Sequence, residues 1–282
     1  MIEAKKKFGQ NFLQDSSIKH KIIQSMPKSS RSLVEIGPGL GDLTQKLLEV
    51  KPLVAYEVDS DLCVYLREKF SKDIDSGRLS LIEGDVLDKL ECGSLSNKEY
   101  DLVANLPYYI ATTIILKTLK DPLCKSMVVM IQKEVAQKFS AACMSKEFTS
   151  LAILAQSIGS ARILFDVPPE AFEPQPKVVS SVLLIEKSKE YIKCEYNGLF
   201  EDEKELQSFE KYLKSSFRAP RKTWIKNISS DFSKEKANSL LIELGYKISI
   251  RPHELSVSTH HLLFNKLKQQ GEIDGREKRG NE

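Results

Sequence analysis

The chain has 282 residues, enough for one large core or for a core domain with a smaller appendage. Apolar residues make up 41% and charged residues 29%, the balance of a globular protein rather than of a disordered or membrane chain. Lys and Arg total 42 against 39 Asp and Glu, and the net charge of +3 permits a polyanionic partner without demanding one.

The chain opens on the basic strip Lys5-Lys6-Lys7, followed by Phe8-Gly9-Gln10-Asn11-Phe12-Leu13, a loop expected to fold over a ligand. Gly9-Gln10-Asn11 stands where a signal peptide would have its apolar core, and no apolar run approaches the roughly 20 residues of a membrane span. A cytoplasmic protein without membrane contact is expected. From Leu33 to about Ile185 short apolar runs alternate with amphipathic stretches. This predicts strands at Leu33–Ile36, Leu53–Glu57, Leu79–Glu83, Asp101–Ala104, Met127–Ile131 and Val178–Ile185. Helices are predicted between them, including Asp42–Glu49, Asp61–Phe70, Thr112–Lys120 and Lys133–Phe139, which together describe an open parallel α/β sheet. Beyond about residue 190 the strand signals stop. Amphipathic helices are predicted at Glu203–Ser215, Lys234–Leu244 and Val257–Lys268, and residues 269–282 read as a polar tail.

The first predicted strand runs into Glu35-Ile-Gly37-Pro-Gly39-Leu-Gly41-Asp42 at a strand-to-helix junction, where Gly37 and Gly39 let backbone approach a ligand. A ligand-free turn and a nicotinamide dinucleotide are both compatible with that loop. The second strand ends in Glu57, a carboxylate placed to accept from both ribose hydroxyls of a nucleoside. The third ends in Asp85, suited to an adenine amino group with the Val86 N–H beside the ring. Two successive carboxylates suit a cationic sulfonium nucleoside, S-adenosylmethionine, better than a pyrophosphate, which prefers helix N-termini.

The fourth strand ends in Asn105-Leu106-Pro107-Tyr108. An amine on an aromatic base is a poor nucleophile because its lone pair is delocalised. The Asn105 side-chain oxygen and the Leu106 carbonyl, the latter set by Pro107, are expected to accept its two hydrogens while Tyr108 stacks on the base. A strand-end turn with no chemistry uses the same residue types. In Phe172-Glu-Pro174-Gln-Pro176-Lys177-Val-Val-Ser180, Phe172 is expected to cover the opposite face of the base and Lys177 to meet a phosphate. The same loop also reads as a proline-stiffened linker.

Lys211 to Lys226 carries six basic residues, no acidic ones, and Tyr212, Phe217 and Trp224. Pro220 is expected to start a helix with Lys222 and Lys226 on one face, and Lys214 and Arg218 on the turn before. With Arg221 and Lys5, Lys6, Lys7 and Lys177 these form the expected RNA contacts, against the plainer reading of a solvated face. Cys63, Cys92, Cys124, Cys143 and Cys194 are odd in number, with no Cys-x-x-Cys pair, as in a reducing compartment, and His20, His253, His260 and His261 lack ligand spacing, so no metal is expected.

Gly9-Gln-Asn-Phe-Leu13, Glu35-Ile-Gly-Pro-Gly39, Gly84-Asp85, Asn105-Leu-Pro-Tyr108, the Phe172–Ser180 loop and Arg251-Pro-x-Glu254-Leu-Ser256 together resemble the small-subunit ribosomal RNA adenine dimethyltransferases, relatives of the erythromycin-resistance methyltransferases. The resemblance implies a Rossmann-like class I methyltransferase sheet with a small C-terminal α-helical domain. Its expected divisions are a catalytic domain over 1–188, with an N-terminal RNA and cofactor loop over 1–14, a helical RNA- or ribosome-binding domain over 189–268, and a flexible tail. It implies that Asn11, Leu13, Gly37, Glu57, Asp85 and Asn105 contact S-adenosylmethionine, and that Asn105, Tyr108 and Phe172 contact the target adenine. The implied substrate is a pair of adjacent adenosines in the 3′-terminal hairpin of small-subunit RNA, met by a monomer on a nearly assembled subunit. Where the family has Arg-Arg-Lys after a Phe, this chain has Phe217-Arg-Ala-Pro220-Arg-Lys222, which puts the strength of that clamp in question. Two rivals stay open: an antibiotic-resistance enzyme acting on large-subunit RNA, and an RNA-binding assembly factor for which catalysis is dispensable.

Overall fold

A computed structural model describes residues 5, 8–193 and 198–271. Among the described residues eleven strands run in chain order as β1 Phe12–Leu13, β2 Ser32–Ile36, β3 Leu53–Glu57, β4 Leu79–Glu83, β5 Tyr100–Asn105, β6 Cys124–Gln132, β7 Gly159–Val167, β8 Phe172–Glu173, β9 Ser180–Lys187, β10 Glu190–Ile192 and β11 Gly198–Phe200. Seven form the main sheet in the order β4-β3-β2-β5-β6-β9-β7. The five from β4 to β6 are parallel, and β9 pairs antiparallel with both β6 and β7. Central strands of such a sheet are covered on both faces, which explains unbroken apolar runs such as Leu102-Val103-Ala104, all buried. Chain order reverses between β2 and β5, and the crevice outside the carboxyl ends of those strands is where open α/β sheets take ligands.

Five of these strands lie outside the expectation: the pair β1 and β8, the edge strand β7, and the pair β10 and β11. The edge strand β7 is not expected, because Gly159–Val167 is half-exposed along most of its length and its apolar run, Ile163-Leu164-Phe165, is short and flanked by polar residues. Beyond about residue 190, where only helices are expected, a short parallel pair of strands also forms, β10 with β11.

The chain divides into two compact units, one drawn from residues up to Gln137 with Gly159–Ser188, the other from Lys138–Ile158 with the residues from Lys189 on. A break at residue 188 therefore leaves out one segment. The helix Ser150–Ile158 belongs with the C-terminal elements, where its Leu154 carbonyl accepts from the Tyr191 hydroxyl at 2.8 Å and its Ile158 carbonyl from the Lys189 N–H.

Within the second unit the helices Glu203–Ser216, Trp224–Ile228, Lys234–Glu243 and Val257–Gln269 each begin at a side-chain cap, Asp202, Thr223, Ser233 and Ser256 in turn. Pro220 does not start a helix. The Asn227 side chain grips the backbone of Ala219 from both sides, accepting its N–H at 2.7 Å and donating to its carbonyl at 3.0 Å. That grip holds 219–222 as a turn, and the helix starts only at Trp224. Phe209, Tyr212, Trp224 and Phe264 are fully buried there, and the Phe209 ring stacks on His261 at 4.4 Å. No described helix is long and apolar enough to cross a membrane.

Candidate active site

Between β2 and the helix Asp42–Val50, Gly37, Gly39 and Gly41 all have positive φ, at 67°, 59° and 78°. At two of these positions a side chain would also collide. A Cβ on Gly41 would lie 2.5 Å from the Phe70 ring, and one on Gly39 would lie 3.0 Å from the Phe12 ring. The loop is thereby pressed between Leu66 and Phe70, at the end of the helix Ser60–Lys69, and the N-terminal segment.

Glu57, at the end of β3, is buried, and its carboxylate is held by backbone. Oε1 accepts from the N–H groups of Val58 and Asp59, both at 3.0 Å, and Oε2 from Gly39 at 3.2 Å. Burial pushes this carboxyl upward and the three bonds oppose it. With about four acceptor sites on a carboxylate, acceptor capacity remains at Oε2. Glu35, on β2, is buried and accepts from the Thr44 hydroxyl at 2.7 Å, and burial pushes it to about 8. Asp85 caps the helix Val86–Cys92 through Oδ1, which accepts the Leu87 N–H at 2.8 Å.

The N-terminal segment is clasped to this edge. Lys5 Nζ donates to Asp59 and Asp61, both at 2.6 Å, and Gln10 Nε2 donates to Asp59 at 3.0 Å. Burial raises Asp59, but those two partners bring it below the usual carboxylate range. β1 pairs antiparallel with β8, matching Leu13 to Phe172. The Asn11 carbonyl accepts from Asn105 Nδ2 at 2.9 Å, which fixes the amide at the end of β5 and reserves Oδ1 as its acceptor. Tyr108 is anchored through its hydroxyl to Ser180 at 2.6 Å, and burial raises that phenol.

One pocket is walled by Asn11, Leu13, Gly37, Gly39, Glu57, Asp85, Val86, Asn105, Leu106, Pro107 and Tyr108, together with Gln10, Glu35 and Tyr109. Residues from five separate segments thus converge, all within the first unit. Phe172 is not brought to that wall. It is 2% exposed and packs in the core with Leu13 and Ala171, because pairing of β8 with β1 turns its ring inward. Lys5 is committed to its two aspartates, and Lys6 and Lys7 lie outside the described residues. Lys177, Lys214, Arg221, Lys222 and Lys226 are exposed, whereas Arg218 is bridged to Asp231 at 2.6 Å. Tyr212 and Trp224 are core residues and offer no face to a base. Gln10, Asp59 and Ser180 were missed as positioning groups although each adjoins a quoted motif, since their partners lie 49 or more residues away. Among the described residues no cluster of three or more His, Cys, Asp or Glu side chains is arranged for a metal ion.

A family model for ribosomal RNA adenine dimethylase matches residues 1–269. Ribosomal RNA small subunit methyltransferase A of Campylobacter curvus is 50% identical over 280 residues, 99% of this chain and 98% of that protein. The protein of the same name from Helicobacter hepaticus is 48% identical over 95% of this chain and 93% of its own length. Among solved structures, a dimethyladenosine transferase from Plasmodium falciparum aligns with a TM-score of 0.75 at 23% identity, covering 92% of this chain and 98% of that one. The 23S rRNA methyltransferase ErmE aligns with a TM-score of 0.67 at 20% identity, covering 92% of this chain and all of that one. The two structural likenesses carry the fold alone.

Proposed function

Because the chain belongs to the ribosomal RNA adenine dimethylase family, we propose that it methylates N6 of two adjacent adenosines in the 3′-terminal hairpin loop of small-subunit (16S) ribosomal RNA, with S-adenosylmethionine as donor, in support of small-subunit assembly. The observation that carries this reading is the Asn105 amide, whose Nδ2 is spent on the Asn11 carbonyl so that Oδ1 is left to accept from an amine.

The donor set fits a nucleoside cation. Glu57 keeps acceptor capacity at Oε2 for a ribose hydroxyl, Asp85 keeps Oδ2 for an adenine amino group, and Asn11, Leu13, Gly37, Gly39 and Val86 complete the wall. When bound, S-adenosylmethionine supplies an electrophilic methyl group. The chain's own part is to orient the amine. Asn105 Oδ1 and the Leu106 carbonyl accept its hydrogens, which draws electron density back to nitrogen, and the Tyr108 ring, held by Ser180, stacks on the base. No strong base is required for attack, because the proton leaves after the methyl has transferred. Positioning of this kind supplies about 7 to 11 kcal/mol of barrier lowering in well-oriented systems. Lys177, Lys214, Arg221, Lys222 and Lys226 are the proposed phosphate contacts.

Labelled S-adenosylmethionine incubated with unmodified small and large ribosomal subunits tests the proposal. Label is expected on dimethylated adenosine of the small subunit alone. Label confined to the large subunit, or undiminished with Asn105→Ala, overturns it.

A further inference from the structure

Tyr108 and Tyr109 are neighbours in one turn, closed by the Ile110 N–H donating to the Pro107 carbonyl at 3.2 Å, yet their surroundings differ. Tyr108 is half-buried and tethered to Ser180. Tyr109 is 61% exposed while still forming part of the pocket wall. Isolated exposed aromatics are common on protein surfaces and need no explanation by themselves. Tyr109 is distinguished by its seat. The Cδ1–Cε1 edge of the ring lies against Gly9, where a Cβ would come within 3.2 Å of it, while most of the side chain is open to water. An aromatic ring seated along one edge and otherwise open is the kind of platform on which single-stranded bases stack. The expected second plate, Phe172, is buried and does not line the pocket, whereas Tyr109 is the most exposed aromatic ring of its wall.

We propose that Tyr109 is a substrate-binding residue that stacks on a nucleotide flanking the target adenine and holds the loop open while that adenine occupies the site. The inference rests on the proposed function. Stacking needs a ring and no hydroxyl, so Tyr109→Phe and Tyr109→Ala should separate.

The test measures kcat and KM for unmodified small subunits, and the Kd for S-adenosylmethionine, with the full-length wild type and both variants. Tyr109→Ala is expected to raise KM for the subunit by about 5- to 100-fold, the loss of one base stack, with kcat changed less than threefold. Tyr109→Phe should match wild type, and donor Kd should stay constant across all three. An unchanged subunit KM in Tyr109→Ala overturns the inference. So does a loss confined to donor Kd, which would make Tyr109 a prop for the N-terminal segment. A wild type that labels no small-subunit RNA overturns the proposed function and this inference with it, whereas an active wild type beside an equally active Tyr109→Ala overturns only the inference.

Discussion

Both units of the molecule bury ionisable groups and favour their neutral forms, but they differ in what partners those groups are left with. In the sheet unit Glu35 and Glu57 sit at or near strand ends beside the pocket, and burial pushes both carboxyls up. In the helical unit His260 and His261 are pushed down to about 4 by burial. Their surroundings separate them further. His260 is saturated, with Nε2 bonded to the Pro252 carbonyl at 3.0 Å and Nδ1 meeting the Tyr212 hydroxyl at 3.1 Å. Glu57 and Asn105 each keep an acceptor in reserve. A buried polar group whose capacity is used up within the core is structural, and one with capacity left at a pocket wall is available for chemistry.

The sharpest way to break that comparison is Asn105→Ala. If the reserved Oδ1 orients the amine, single-turnover methyl transfer should fall about 100- to 1000-fold, the range found when one preorganised polar partner is removed from a reacting group. Unfolding by urea should shift little, since the lost partner is one half-exposed hydrogen bond. A drop of less than tenfold would return Asn105 to the status of a strand-end residue.

The pH dependence of stability should carry opposite signs in the two units. Ligand-free Glu35 keeps in the folded state a proton that the unfolded chain releases above its ordinary value of 4.5, so its contribution falls as pH rises from there to about 8. The histidines reject in the folded state protons that the unfolded chain takes up below 6.5, so their contribution is lost as pH falls from 6.5 toward 4. Each group alone sets a slope of at most about 1.4 kcal/mol per pH unit. Trp224, the chain's single tryptophan, lies in the helical unit and reports on it by fluorescence. Its urea midpoint should fall between pH 6.5 and 5, and less steeply in His261→Gln. Circular dichroism of Glu35→Gln should show a flatter decline between pH 5 and 8 than wild type. Unchanged slopes in both variants would remove the contrast.

Glu57→Gln is a gentler probe. The amide keeps one carbonyl oxygen for backbone N–H groups but turns an NH2 toward donors on the other side, so donor affinity measured by calorimetry should weaken about tenfold or more, as for a charged acceptor lost from a buried hydrogen bond. Affinity within twofold of wild type would mean that Glu57 serves only the loop.

These contrasts also mark what sequence can disclose. The strand ends bearing Gly37, Glu57, Asp85 and Asn105 were legible because an apolar run followed by glycine or an acid is a local signal, and a parallel sheet delivers successive strand ends to one side. The direction of an aromatic ring is not local. Phe172 faces inward because β8 pairs with β1 some 160 residues earlier in the chain, and Tyr212 and Trp224 are enclosed by helices rather than presented beside the lysines that flank them. The turn at 219–222 escaped for a related reason, since its geometry is dictated by Asn227, a residue that looks unremarkable in a helix. Lys5 read as a free cation because its two aspartates lie 54 and 56 residues away.

The smallest predicted effect concerns Arg218, which the basic stretch alone would count as an RNA contact. Its guanidinium is half-exposed but already serves Asp231, so Arg218→Ala should cost no more than about 1 kcal/mol of stability, the usual limit for a surface ion pair. It should leave the salt dependence of subunit binding nearly unaltered. Lys226 is exposed on the helix Trp224–Ile228. If it meets a phosphate, Lys226→Ala should reduce the slope of log K against log salt by about 1. Binding titrations between low and physiological salt distinguish the two. Equal slopes for both variants would mean either that the Asp231 bridge opens on RNA or that Lys226 never reaches a phosphate. An Asp231→Asn variant separates those cases, since freeing Arg218 steepens the slope only if the bridge was what withheld it.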